Sequence, residues 1–274
     1  MKKTTLLLAF VSATIFISAC KKKDATLASE TANGKVLALG HGGMGNSNFY
    51  PMNTYEAILN CINLGANGSE MDVQMTKDSV LVLYHDDGLE TLTDGSGPII
   101  NYTWNELQQY HYIVGPYVQY DIACIDVLFE HIDNLQQHTF SFDNKLLFDD
   151  TWRPVFMRAI IRLLEKYQME QHVFIESHDP AFLTAFKLLK DYEYFFNPPD
   201  FDTGLHQAKD NNIYGIIMDN ENISADQISL AHQNGIHVQT WGPASEEDNK
   251  QAIAKNPDAI QTDNVNALVD LLSQ

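Results

Sequence analysis

Two stretches of the chain, Val36-Leu37-Ala38-Leu39-Gly40 and Val80-Leu81-Val82-Leu83-Tyr84, are apolar almost without a break. A strand that keeps one face in water alternates polar and apolar residues, so these two read as parallel strands covered on both faces. Further strand candidates lie at 69–73, 140–145, 173–176, 193–196, 215–218, 236–241 and 259–262. Helical patterns separate many of them, clearest over 54–64, 154–167, 181–190, 225–233 and 264–272, with Asn53, Ser224 and Asp263 as N-cap candidates and Gly65 as a stop. Strands alternating with helices imply a parallel sheet. A chain of 274 residues without a compositional break fits one α/β TIM (β/α)8 barrel, which takes ~250 residues. Nine runs compete for eight places, and one of 193–196 and 215–218 is expected outside the barrel. Residues 86–125 hold Asp94-Gly95-Ser96-Gly97-Pro98 and several aromatics. They are too long for an ordinary strand-to-helix loop and are expected to form a small insertion after the third strand.

The chain opens with Met1-Lys2-Lys3, a short apolar stretch from Leu6 to Ile17, and Ser18-Ala19-Cys20. A basic start, an apolar centre and small residues before a cleavage point make residues 1–19 a signal peptide, too short to span a bilayer comfortably. Its ending resembles a bacterial lipoprotein signal, in which the cysteine is acylated and becomes the first mature residue. Cys20 is then the membrane anchor, and 20–34 a polar tether carrying a barrel domain over 35–274. The expected place is the bacterial cell envelope, on the outer membrane or a periplasmic face.

The net charge is −19, and near −21 once the leader has taken Lys2 and Lys3 with it. Such a field repels nucleic acid and anionic membrane surfaces, so an anionic substrate must be drawn by a local positive centre such as a bound divalent cation. Cys61 shares the apolar face of a helical pattern with Ala57, Ile58 and Leu64 and is expected as a buried thiol rather than a disulfide partner.

Chemistry gathers where strands end. His41 and His85 each follow one of the apolar runs, at the end where barrels collect their catalytic groups. Between them, Gly68-Ser69-Glu70-Met71-Asp72-Val73 alternates strictly, and a period of two puts Glu70 and Asp72 on one face, roughly 6.5–7 Å apart along the backbone. Asp143 and Lys145 share a face in the same way. A cation held by Glu70, Asp72 and Asp143 has only oxygen donors, which suits Mg²⁺ or Ca²⁺ rather than zinc. Both histidines then stay free for proton transfer, one removing a proton from the attacking hydroxyl and the other protonating the leaving alkoxide.

These residues resemble the glycerophosphodiester phosphodiesterases. The family pattern H-R-G, P-E-N-T, G-A-D-x-I-E-x-D-V, T-K-D-G, H-D-x-x-L and E-x-K is similar, in order and spacing, to six blocks here. They are His41-Gly42-Gly43, Pro51-Met52-Asn53-Thr54, Gly65-Ala66-Asn67 through Glu70-Met71-Asp72-Val73, Thr76-Lys77-Asp78-Ser79, His85-Asp86-Asp87-Gly88-Leu89 and Asp143-Asn144-Lys145. Weaker similarity continues at Ile175-Glu176-Ser177, before Trp241 and at Thr262-Asp263. The resemblance implies a TIM barrel, catalysis by His41 and His85, one divalent cation on Glu70, Asp72 and Asp143, and a substrate site that includes Lys145, Glu176 and Trp241. It implies hydrolysis of a glycerophosphodiester to sn-glycerol 3-phosphate and an alcohol, with a vicinal substrate hydroxyl attacking first to give a cyclic phosphate that water opens. Three positions depart from the pattern: Gly42 replaces its arginine, Met52 its first glutamate and Asp143 its second. The segment Gly42-Gly43-Met44-Gly45 is expected to offer backbone N–H groups to the phosphate in place of the arginine. The competing readings are a C- or D-type phospholipase on an intact lipid or lysolipid, for which Tyr102, Trp104, Tyr110 and Tyr112 would supply an apolar rim, and a surface lipoprotein that binds without catalysis.

Overall fold

A computed structural model describes residues 35–46, 50–113 and 120–274. The leader, Cys20 and the tether lie outside the described residues. The strands are β1 (Leu37–Gly40), β2 (Gly68–Met75), β3 (Leu81–Leu83), β4 (Ala123–Cys124), β5 (Thr139–Asn144), β6 (Val173–Ser177), β7 (Glu193–Phe196), β8 (Gly215–Asp219), β9 (His237–Trp241) and β10 (Ala259–Thr262). Parallel pairing runs in the order β1-β10-β9-β8-β7-β6-β5-β2, and a β1–β2 pairing closes the ring into an eight-stranded barrel.

Both 193–196 and 215–218 are barrel strands, β7 and β8, paired in parallel with each other. The surplus run is 80–84. Its central part, β3, lies antiparallel to β2 and to β4, outside the barrel. The reason is physical: Leu81 and Leu83 face the main core, whereas Val82 and Tyr84 are covered by the insertion's own cluster around Leu89, Ile99, Leu107 and Tyr112. Cover on both faces makes a strand apolar throughout, whatever the direction of its neighbours. The insertion therefore begins after the second barrel strand, and β3 is its first element.

The period of two along each strand sorts the interior. Leu37, Leu39, Phe174, Phe195, Ile217 and Ala259 fill the lower barrel. The residues that follow them on the same faces are polar: His41 after Leu39, Glu176 after Phe174, Gln261 and Asp263 after Ala259. A larger core lies between the strands and the surrounding helices and includes Ile58, Phe140, Phe142, Phe156, Ile160 and Phe186.

Helix limits follow the expected patterns closely at Arg153–Tyr167 and Ala225–Gln233. The helix expected over 181–190 is Pro180–Lys187. Phe201–Asp210 and Glu246–Ala254 are further helices that the patterns did not single out. The second is Glu-Glu-Asp-Asn-Lys-Gln-Ala-Ile-Ala and buries little beyond Asn249 and Ala252, so it carries almost no apolar periodicity. Ser224 is a cap as expected. Asn53 and Asp263 are not: Thr54 caps Tyr55–Asn63 and Asn264 caps Val265–Leu272. Cys61 and Cys124 are free and buried.

Candidate active site at the barrel mouth

Glu70 and Asp72 point inward from β2, and register sets Asp72 beside Asp143 of β5 and Asp143 beside Glu176 of β6. Glu70, Asp72 and Asp143 are buried, and one oxygen from each lies within 4.8 Å of the other two. Glu70 Oε2 accepts the Gly42 N–H at 2.7 Å. Asn53 Nδ2 donates to Asp72 Oδ2 at 2.6 Å, and the Asp72 N–H donates to Asn53 Oδ1 at 2.9 Å. Lys145 Nζ bridges Asp72 Oδ1 at 2.9 Å and Asp143 Oδ2 at 2.7 Å.

The charges divide unevenly over this cluster. Burial pushes the Glu70 pKa well above the carboxylate range, and the Asp72 charge pushes it further. Burial would raise Asp72 too, but the Lys145 ammonium together with the charges of His85 and His41 outweighs it and holds Asp72 below its ordinary value. Desolvation opposes the charge on Lys145, and Asp72 and Asp143 overcome it, so the ammonium is held firmly protonated.

A cation fits these donors. All three are hard carboxylates on a pair of adjacent strands, and Asp143 Oδ1 is buried with no hydrogen-bond partner among the described residues. An acceptor left in that state is costly unless something positive meets it. Oxygen-only donors of this kind suit Mg²⁺ or Ca²⁺.

His41 and His85 line one cleft of about 490 Å³. His41 leaves the end of β1, and its Nδ1 is hydrogen-bonded to Asp263 Oδ1 at 2.8 Å. Burial alone would lower the His41 pKa, but the Asp263 hydrogen bond and the charges of Glu70, Asp263 and Asp72 outweigh it and raise it to about 9. His85 reaches the mouth by a different route. β3 runs antiparallel to β2, so the residues after it return to the rim, where the Tyr84 N–H donates to the Asp72 carbonyl at 3.0 Å. The His85 Nδ1 pairs with Asp86 Oδ1 at 2.7 Å. The buried Gln74 fixes that turn, its Nε2 donating to the Tyr84 and Asp86 carbonyls at 2.9 Å each. In both histidines an aspartate occupies Nδ1, which leaves Nε2 for the cleft.

The glycine loop has the expected backbone, with positive φ at Gly42, Gly43 and Gly45. Two of its donors are spent inside the protein: the Gly42 N–H on Glu70 and the Gly45 N–H on the His41 carbonyl. An anion nest built from Gly42 is therefore not what the loop presents. Gly43 packs so closely on the helix behind it that a Cβ would lie 2.6 Å from the Ala57 carbonyl carbon.

Trp241 stands at the end of β9 with its ring centroid 5.9 Å from that of His41. Glu176 turns into the barrel interior, where Ser141 Oγ and, at 2.7 Å, Gln261 Nε2 donate to its Oε1. Burial and the neighbouring Asp143 charge hold its pKa well above the carboxylate range. Its hydrogen bonds tie it to β5 and, across the interior, to β10, next to Asp143 in register. Three functional residues escaped the sequence reading in their roles: Asn53, which holds Asp72, and Asp263 and Asp86, which hold the histidines. Asn53 and Asp263 each precede a helix and look like caps, and the true cap is in both cases the next residue. Asp86 stands in a motif, but nothing in a sequence says that it turns back to its neighbour.

The glycerophosphoryl diester phosphodiesterase family profile matches residues 44–267, beginning just after the His41-Gly42-Gly43 segment. A glycerophosphodiester phosphodiesterase of Caldanaerobacter subterraneus subsp. tengcongensis is 25% identical over 248 residues, 87% of this chain and 98% of that protein. Among solved structures, a phosphodiesterase of Oleispira antarctica in complex with the product sn-glycerol-3-phosphate superposes with a TM-score of 0.75 at 19% identity, covering 89% of this chain and 99% of that one. A glycerophosphodiester phosphodiesterase from Parabacteroides distasonis gives 0.73 at 17% identity, covering 87% and 97%. The two structures share the fold, and the profile spans the β2 carboxylates, His85, Asp143 and the strands around them, so this chain belongs to the glycerophosphoryl diester phosphodiesterase family of enzymes.

Proposed function

We propose that the protein hydrolyses glycerophosphodiesters to sn-glycerol 3-phosphate and an alcohol by acid/base catalysis from His41 and His85, with a divalent cation on Glu70, Asp72 and Asp143. The observation that carries this is the pairing of two aspartate-held histidines in one cleft beside the three buried carboxylates. One histidine takes the proton of the attacking oxygen, either a vicinal hydroxyl of the glycerol or a water. The phosphorus–oxygen bond to the alcohol breaks, and the other histidine returns a proton to the departing alkoxide. The surroundings divide the labour. His41, whose pKa is raised by its hydrogen bond to Asp263, is the proton donor, and His85 on the more open loop is the base. A cation would supply a positive centre for the phosphate oxygens, with Lys145 adding a second and Trp241 walling the His41 side. If a glycerol hydroxyl attacks first, the cyclic phosphate is opened by water with the two roles exchanged.

Replacing Asp72 with Asn removes one charge at nearly constant volume. It should reduce glycerol 3-phosphate release from a panel of glycerophosphodiesters to background while the circular dichroism spectrum is kept, and excess chelator should do the same to the wild type. Full activity in either case removes the cation from the proposal. The phospholipase reading finds no exposed apolar rim in the insertion's four aromatics: Tyr112 lines the cleft but is almost wholly buried, and Tyr102, Trp104 and Tyr110 pack half-buried on the insertion's own cluster. Loss of catalysis is countered by the intact histidine and carboxylate set. Cys20 as a lipid anchor in a bacterial envelope belongs to the same proposal, and mass spectrometry of the mature N-terminus should find the acylated cysteine. An unmodified terminus would leave a secreted enzyme.

A further inference from the structure

In a parallel barrel every strand starts at one end, and the helices between the strands return to it. The closed end here is therefore ringed by strand starts and by the C-terminal ends of helices such as Tyr55–Asn63, Pro180–Lys187 and Val265–Leu272. Exposed apolar residues collect at that end. Of the seven large ones among the described residues, four are Leu64, Leu188, Leu189 and Leu272, each at or just past the end of one of those three helices. Leu188 is 85% exposed and Leu189 52%. The other three, Ile113, Val127 and Leu230, are spread over the insertion and the helical wall.

The four form two groups on opposite sides of the ring. Leu64 and Leu272 flank β1: the first stands where the helix after β1 turns toward β2, and the second ends the helix that packs on β1. Leu188 and Leu189 lead into β7, which lies four strands from β1 whichever way the ring is followed. Two apolar groups on opposite sides of a ring describe a plane rather than a groove, and a plane fits a flat partner. Charges of both signs stand beside Leu188, Lys187 and Lys190 with Asp191 and Glu193, so this end offers apolar contact rather than a field of one sign.

The same end receives the chain from Cys20. Lys35 is fifteen residues beyond that cysteine and β1 begins at Leu37, so the span is ~50 Å at full stretch. The 15-residue helix Arg153–Tyr167, which runs between mouth and closed end, is ~22 Å long. Turning the mouth to the bilayer would use nearly half of the span; resting the closed end there uses none.

We infer that the closed end rests on the bilayer that holds Cys20, through Leu188 and Leu189 on one side and Leu64 and Leu272 on the other, with the mouth turned to water. The inference rests on the reading of Cys20 as an acylated anchor. That anchor keeps the end close, so a contact too weak to recruit the domain by itself is populated once the domain is tethered. The substrate then arrives in solution, as a deacylated diester does, and the lipids of the anchoring membrane lie on the wrong side of the barrel.

The test uses the full-length acylated protein in phosphatidylcholine vesicles that carry a nitroxide-labelled lipid. Cys61 and Cys124 are buried, so a fluorescent label goes to a cysteine placed at exposed Asp191, beside the leucines, or at exposed Ala244, in the loop after β9 at the mouth. Label at Asp191→Cys should be quenched severalfold more than label at Ala244→Cys. Adding Leu188→Asp and Leu189→Asp should bring the first down to the level of the second while turnover of a soluble glycerophosphodiester is unchanged. Equal quenching at the two positions, indifference to the two aspartates, or hydrolysis of the vesicles' own phosphatidylcholine would overturn the orientation and leave the anchor standing. Ready disulfide cross-linking between Asp191→Cys copies would give the face to a second copy and overturn it too. Protein that fails to float with the vesicles removes the anchor, and the orientation falls with it.

Discussion

Two aspartates bracket the last barrel strand, and both bind histidine, yet they belong to different kinds of structure. Asp258, just before β10, has every oxygen engaged. Its Oδ1 meets His237 Nδ1 at 2.9 Å, and its Oδ2 meets His232 Nε2 at 3.0 Å and the Val238 N–H at 2.6 Å. The His237 ring is stacked on Tyr214 at 4.1 Å. That set clips the Ala225–Gln233 helix to the start of β9 at the closed end of the barrel. Asp263, just after β10, gives Oδ1 to His41 at 2.8 Å and Oδ2, among the described residues, to Asn46 at 3.3 Å, and the histidine it holds faces the cleft. The residue types are the same. What separates a structural clip from a reactive pair is which end of the strand carries it, because the apolar layers close one end and the inward carboxylates and the insertion frame the other.

The widest gap between the two sets should appear in catalysis. His41→Ala should lower kcat by ~10²–10⁴-fold, the range for loss of one general acid or base, whereas His237→Ala should retain the rate and melt at a lower temperature. A diester with a highly acidic leaving alcohol should rescue His41→Ala and not His85→Ala. The reverse pattern would exchange the roles of the two histidines. A comparable loss of rate in His237→Ala would erase the distinction between the ends of the barrel.

The carboxylates give a smaller effect of the same sign. Asp263→Asn should cost ~10–100-fold, as loss of an orienting partner commonly does. It should also move the alkaline limb of kcat/KM to lower pH, since a proton donor fails as pH rises through its pKa and the Asp263 hydrogen bond is a main reason that the His41 value is raised. An unshifted limb would mean that Asp263 only positions the ring.

Asp258→Asn should act on stability alone, with a pH window. Burial opposes ionisation of Asp258, but its hydrogen bonds to His232 and His237 outweigh that and depress its pKa. The stability it contributes is therefore present above the unfolded carboxylate value of ~3.9 and lost as pH falls through the folded one. His232 is raised, chiefly by its hydrogen bond to Asp258. Its share is complete below the unfolded imidazole value of ~6.5 and fades as pH rises through the folded one. The melting-temperature difference between Asp258→Asn and wild type should thus be greatest between about pH 4 and 6.5 and shrink on either side. A difference independent of pH would assign the loss to packing.

The residue pattern determined the barrel, its inward carboxylates and His41 at the end of a barrel strand. Those follow from local rules: a period of two fixes which side chains share a face, and apolar runs mark buried strands. Glu70 and Asp72 were legible for that reason, as was Cys61 as a buried thiol. What tertiary structure decided is whatever depends on a neighbour distant in the chain. The run 80–84 carries no mark of direction, because a strand covered by an insertion on one face and by the core on the other reads like a barrel strand. Asp263 lies 222 residues from His41, and a carboxylate before a helix has the same local signature whether it caps that helix or holds a catalytic ring. Met52 and Gly42 are of the same kind: each position alone looks like a departure from a motif, and only the folded loop sets the methionine where a Cβ at Gly42 would meet it at 2.7 Å.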